Sequence, residues 1–173
     1  MDSIENWSRE TAIVGAPEGT SIVVLHIGEE NTEIASRTDH EPQAKLILEI
    51  GAQRTASEHF KRAPPTPLEL ENAIITVEDE IARARTMVPK EARLYTRDAA
   101  IRAIARLAGV RESEEMTLTI EAVEQTFERM VQISQGMPAV HSGIPSDVEF
   151  AATLLILREF MHHLQFASIT VKG

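Results

Sequence analysis

Apolar and polar positions follow two rhythms along this chain. Residues 21–27 contain the run Ile22-Val23-Val24-Leu25, the pattern of a strand buried on both faces. Thr32, Ile34 and Ser36 then alternate with Glu33, Ala35 and Arg37, which predicts a second strand. A polar turn at 38–42 leads to a third strand over 45–50, so the unit opens as a meander with short connections. After Gly51 the rhythm changes. Residues 52–61 predict a short helix, interrupted by Ala63-Pro64-Pro65. Thr66-Pro67-Leu68-Glu69 is a strong helix start: a capping threonine, proline at the first helical position and glutamate three residues after the cap. Leu70, Ile74, Val77, Ile81 and Ala84 hold one face of that helix as far as Thr86.

Residues 92–95 predict a short strand, and 97–107 a helix closed by Gly109. Leu118-Thr119 caps a further helix carrying Ile120, Val123, Phe127, Met130 and Val131. Residues 136–143 read as loop. Pro145-Ser146-Asp147 opens the last helix. Its apolar positions, among them Phe150, Leu154, Leu155, Phe160 and Met161, run most of the way round, which predicts deep burial. A final strand covers 168–171. The order β-β-β-α-α-β-α-α-α-β predicts an α/β fold, a mixed sheet with helices packed on it. Three antiparallel strands followed by helices and later strands is the half-unit of the actin-like, ribonuclease H-like ATPase fold.

A length of 173 residues suits one domain over 1–173. Ile4, Trp7, Thr11 and Val14 sit at helical spacing, so residues 1–16 read as an N-terminal helix or arm before a lobe spanning 17–173. The net charge of −10 works against broad electrostatic binding of nucleic acid or anionic membranes. The absence of cysteine excludes disulfides and thiolate metal sites. The polar, acidic start lacks the pattern of a secretory leader, and no apolar run reaches membrane-spanning length. The expectation is a cytoplasmic protein.

Several stretches, in order, carry a resemblance to a known family. Val23-Val24-Leu25-His26-Ile27-Gly28-Glu29-Glu30-Asn31-Thr32-Glu33 falls where that family has a strand followed by D-I-G-G-G-S-T-E. Ile47-Leu48-Glu49-Ile50-Gly51-Ala52-Gln53-Arg54-Thr55, the Pro-Pro-Thr-Pro-Leu-Glu-Leu helix start, Leu118-Thr119-Ile120-Glu121, Gly143-Ile144-Pro145-Ser146-Asp147 and Ile169-Thr170-Val171 are similar to later family segments. From about residue 17 onward the chain resembles the second, C-terminal actin-like lobe of the exopolyphosphatase and guanosine pentaphosphate phosphohydrolase (Ppx/GppA) family. The resemblance implies a phosphate loop at His26, Gly28, Glu29, Glu30, Asn31, Thr32 and Glu33. It implies a second loop at Thr96, Arg97 and Asp98, within Tyr95-Thr96-Arg97-Asp98-Ala99, and an anion contact at Arg54.

The departures are chemical. Glycines in such a loop let backbone N–H groups close around an anion. Glu29 and Glu30 stand at two of those positions, and His26 at the position of the family's strand-end acid. The second loop keeps no glycine. The family's first lobe has no counterpart in the sequence, and Glu5 lies near its catalytic glutamate without clear register. No catalytic residue and no metal site is therefore assigned. The expectation is a non-catalytic binding or regulatory protein without a cofactor. It would act through protein contacts as a homodimer or with another partner, Ile4, Trp7 and Val14 being candidates for the contact. The alternative is a phosphohydrolase, or a polyphosphate or nucleotide binder using Mg²⁺, whose cleft is completed across a dimer or by a separate first-lobe subunit.

Other clusters read as structural. His162 and His163 are adjacent on a helix and point about 100° apart, so they form no ligand pair with each other. Glu78, Asp79 and Glu80 read as a helix's solvent side. His26, Glu29 and Glu30 offer a weaker metal or small-metabolite reading against that of a solvated turn. Arg54 reads equally as a cleft residue or as a surface ion-pair partner. Ser142, Ser146 and His141 lack the context of a hydrolytic triad.

Overall fold

The computed structural model describes residues 16–38 and 43–173. The expected N-terminal helix, with Ile4, Glu5, Trp7, Thr11 and Val14, and most of the turn at 38–42 lie outside the described residues. The strands are β1 (Ile22–Ile27), β2 (Thr32–Arg37), β3 (Ala44–Leu48), β4 (Arg93–Thr96), β5 (Glu115–Thr119) and β6 (Ser168–Lys172). The helices are α1 (Ala52–His59), α2 (Pro67–Ala82), α3 (Ala99–Leu107), α4 (Ile120–Ser134) and α5 (Val148–His163), with a 3₁₀ turn at Ala139–His141 inside the stretch expected as loop. One mixed sheet runs β3-β2-β1-β4-β6-β5. The meander β1-β2-β3 is antiparallel, β1-β4 and β4-β6 are parallel, and β5 runs antiparallel to β6. This is the actin-like, ribonuclease H-like lobe that the pattern predicts.

β1 is central, and its run Ile22–Leu25 is 0–3% exposed. Its alternate residues serve two cores. Val23, Leu25 and Ile27 join the main core with the helices, while Ile22 and Val24 join Ala35 and Tyr95 in a smaller cluster on the other face. α2 starts with the expected capping box: Thr66 Oγ1 accepts from Glu69 N and the Glu69 carboxylate accepts from Thr66 N, with Pro67 at the first position. The backbone N–H of Thr66 first, and that of Lys61 beside it, donate to the Glu69 carboxylate and hold it below its ordinary pKa. Thr119 caps α4 and Asp147 caps α5. Gly109 ends α3 at φ +86°, a conformation that a side chain would strain although the space is open.

α5 is the hub. Residues 151–157 are all buried, and α1, α2, α3, α4 and β1 all pack on it. β5 is one strand more than the sequence pattern predicts. Met116 and Leu118 point inward at 1% and 0% exposure, and Glu115, Thr117 and Thr119 point outward. Two apolar residues at period two are too few to stand out beside the helix start that follows. The edge position leaves the outward face free to be polar.

Two contacts generate expectations. Phe160 is fully buried and stacks on Phe166 with ring centroids 5.9 Å apart. Phe160→Ala is expected to lower the free energy of unfolding by about 3–5 kcal/mol in a urea titration. Arg106 and Arg102 of α3 both donate to Glu112, and Arg102 also reaches the Ser113 carbonyl, tying the helix to the segment entering β5. Hydrogen bonds from Arg106 first, then Arg102, hold the Glu112 carboxyl down at about 2 against an ordinary 4.5. The folded pKa lies below the unfolded one, so this contribution is complete above about 4.5 and fades as pH falls towards about 2. The stability gap between wild type and Glu112→Gln is expected to close across that window, read by urea titrations at stepped pH.

Candidate functional site

In open sheets with parallel strands, ligands bind in the crevice beyond the strands' carboxyl ends. Here that place lies beyond β1 and β4. After Ile27 the chain turns tightly, with Gly28 N donating to Asn31 O at 2.9 Å. The first turn of α1 then packs against this loop. Ala52 N donates to Gly28 O at 2.9 Å, and Gln53 N and Arg54 N donate to Glu29 O at 2.9 and 3.1 Å. The first amides of a helix have no intrahelical partner and are the donors an anion would use. In α1 three of them are taken by carbonyls of the loop. Gly51 makes the approach possible: a Cβ there would stand 2.4 Å from the Glu29 carbonyl oxygen. Its backbone is extended, so the requirement is for space rather than for a special φ. Thr32, fully buried, donates from Oγ1 to Ile50 O at 2.7 Å and fixes the other side of the hairpin.

The second strand end closes onto the first. Asp98 stands at the N-cap of α3, yet its side chain makes no cap hydrogen bond. Thr96 Oγ1 accepts from Asp98 N at 3.1 Å, and the Asp98 carboxylate crosses to β1. Oδ2 accepts from Ile27 N at 2.7 Å, and Oδ1 lies 2.6 Å from His26 Nδ1. The Asp98 side chain is 9% exposed and that of His26 is 35% exposed. A carboxylate bound by a backbone N–H and an imidazole N–H is a charge-assisted arrangement that fixes the ring's orientation. Beside it lies a cavity of about 450 Å³ lined by His26, Gly28, Glu29, Ala100, Asp147 and Phe150 among others. No Lys or Arg stands among its described lining residues.

The expected residues thus divide. His26, Gly28 and Glu29 of the first loop line this cavity, and Asp98 of the second reaches His26 without lining the cavity itself. Thr96 is buried and supports Asp98, whereas Arg97 is exposed. Glu30 pairs with Arg54 at 3.5 Å, and Arg54 Nη1 also donates to the Glu49 carbonyl at 3.3 Å. Of the two readings of Arg54, the ion pair is the contact formed. Glu33 lies on β2 directly across from His26. Asn31 contributes its backbone carbonyl to the turn. His26 is not the residue of a solvated turn: it belongs to β1, and Asp98 holds its ring. Nor do His26, Glu29 and Glu30 gather as a ligand trio. Among the described residues one such group forms, and it is elsewhere, at Glu78, Glu159 and His163.

His162 and His163 diverge as their spacing requires, His162 to Glu124 of α4 and His163 to Glu78 of α2. Glu78, Asp79 and Glu80 are not simply a solvent side. Glu78 meets His163, and Glu80 accepts from Glu49 N and Arg83. Ser142 serves its own turn, donating to the Ala139 carbonyl and accepting from Ile144 N.

The match to known proteins is consistent in family and in fold. Residues 10–173 match the model of the Ppx/GppA phosphatase family. The crystal structure of the Aquifex aeolicus member of that family superposes with a TM-score of 0.74 at 17% identity, covering 95% of this chain and 55% of that one. An exopolyphosphatase from Cytophaga hutchinsonii gives a TM-score of 0.73 at 12% identity, covering 96% and 57%. The chain therefore spans somewhat more than half the length of these solved structures. No curated protein matches it.

Removing the crossing carboxylate isolates its energetic role. Asp98→Ala leaves the Ile27 N–H without its acceptor. The expected loss is about 1–3 kcal/mol of unfolding free energy, measured by chemical denaturation.

Proposed function

This chain belongs to the Ppx/GppA phosphatase family, and from that premise we propose that it is a member acting through protein contacts rather than by hydrolysing phosphate esters or anhydrides. One observation carries the reading. The Asp98 carboxylate occupies the Ile27 N–H and His26 Nδ1 at the end of the two central parallel strands, where an anionic ligand would sit. A phosphate entering there must displace an internal anion. It also finds the α1 amides bonded to the loop and meets the carboxylates of Glu29, Asp147 and Glu149 around the cavity. Like charges brought together in a partly dry site disfavour binding. In this reading Glu29, Glu30 and the glycine-free second loop keep the strand-turn-strand scaffold without its ligand. The protein needs no cofactor and works as a homodimer or with another protein. Leu68 and Ile75, seven positions apart on α2 and 65% and 59% exposed, offer an apolar face for such contacts.

A second reading draws on the same pair. A carboxylate at 2.6 Å from Nδ1 selects the histidine tautomer whose other nitrogen accepts a proton, which is the arrangement of a general base. That reading makes the chain a phosphohydrolase acting on polyphosphate or a nucleotide with Mg²⁺, its cleft completed across a dimer or by a separate first-lobe subunit.

One experiment separates them. Purified protein is given polyphosphate or GTP with Mg²⁺, and phosphate release is followed beside native mass spectrometry. The expected result is a dimer whose phosphate release equals that of His26→Gln and Asp98→Ala. Release that disappears in His26→Gln would overturn the first reading and establish the second.

A further inference from the structure

α5 carries a second polar cluster at its carboxyl end, the other end of the helix from Asp147, Glu149 and Phe150 beside the His26 cavity. Glu159 and His163 are one turn apart on this helix, and Glu78 reaches them from α2. His163 Nε2 lies 3.0 Å from Glu78 Oε1 and 3.1 Å from Glu159 Oε2. An imidazole nitrogen carries one hydrogen at most, so it cannot give both carboxylates a full hydrogen bond. Glu159 is 1% exposed, and glutamate is almost never so buried without strong compensation. The three donor atoms all lie within 4.8 Å of one another.

We propose that Glu78, Glu159 and His163 form a binding site for a divalent transition-metal ion of the zinc type, which clamps α2 to α5. Donors each about 2.0–2.2 Å from a shared tetrahedral ion stand roughly 3.3–3.6 Å apart, so the nitrogen–oxygen separations of 3.0 and 3.1 Å have only a few tenths of an ångström to open. One imidazole and two carboxylates suit zinc and its first-row neighbours. Magnesium prefers an all-oxygen octahedron, and copper(I) seeks sulfur. Two carboxylates and a neutral imidazole balance a divalent charge.

The surroundings fix the donors. Arg158 holds the other oxygen of Glu159, and its guanidinium lies over the Phe127 ring at 4.7 Å. An outer partner of this kind orients a ligating carboxylate. The ligands sit on two packed helices rather than on loops, which keeps their separation constant. His163 also lines a cavity of about 430 Å³ shared with Arg85, Lys90, Glu91 and Gln165, so a water or small anion from that side completes a four-coordinate shell.

The probe is Zn²⁺ alone, added to the full chain after chelator treatment. Isothermal titration calorimetry is expected to show one ion per chain, and the melting temperature is expected to rise with Zn²⁺. Glu78→Gln, at a half-exposed position where the fold tolerates it, and His163→Gln are each expected to weaken binding at least tenfold. His26→Gln is expected to keep wild-type affinity. The absence of both heat and a melting shift with Zn²⁺ would overturn the site. So would unchanged affinity in either Glu78→Gln or His163→Gln, or loss of binding in His26→Gln.

Discussion

The architecture depends on burying α5 on nearly every side. A helix that is apolar all round has no solvent face, so four other helices and the central strand must surround it. Their order follows from that need. α1 and α2 come directly after the meander and cover α5 from one side, and α3 and α4 complete the layer. Ala151 and Ala152 let neighbours approach closely, while Leu154, Leu155, Leu157 and Phe160 fill the space between them. The polar groups on α5 concentrate at its two ends. Asp147 and Glu149 border the cavity beside His26, and Glu159 and His163 meet Glu78 at the other end.

The His26–Asp98 contact reflects competition for one set of donors. A backbone N–H at a strand end, an imidazole and the first amides of a helix are the standard parts of an anion site. In this lobe all have internal partners. Asp98 gives up the usual role of an N-cap aspartate, which would satisfy its own helix, and satisfies β1 instead. The result joins the two strand ends through side chains where the ladder between them stops. The family relationship and this geometry are compatible: the lobe's fold requires the strand, the turn and Gly51, whereas it does not require open amides.

Much of the fold is legible in the sequence because its signals are local. The apolar run at Ile22–Leu25, the Thr66–Glu69 box and the all-round pattern of α5 each declare themselves within a few residues. β5 does not, since Met116 and Leu118 are only two apolar positions before a strong helix start. The site is legible as parts rather than as a whole. His26 and Asp98 stand out individually at the ends of two strands, but they are 72 positions apart and meet only because β1 and β4 run parallel side by side. An aspartate at a helix start reads as a cap, which conceals its actual contact. Glu78 and His163, 85 positions apart, are hidden for the same reason. Each looks like a helix surface residue until the packing of α2 on α5 is known.

The close packing of α1 against the loop has a bearing on what this sequence can become. Three amides of the helix are held by main-chain carbonyls of Gly28 and Glu29, and no side chain takes part in those bonds. Exchanging Glu29 or Glu30 for glycine would remove charge and leave the same carbonyls in place. Opening these amides to an anion therefore does not run through point substitutions in the loop. It runs through insertions or deletions that redraw the path of residues 28–31, a rarer class of mutation that also has to preserve the hairpin register from Ile27 to Thr32.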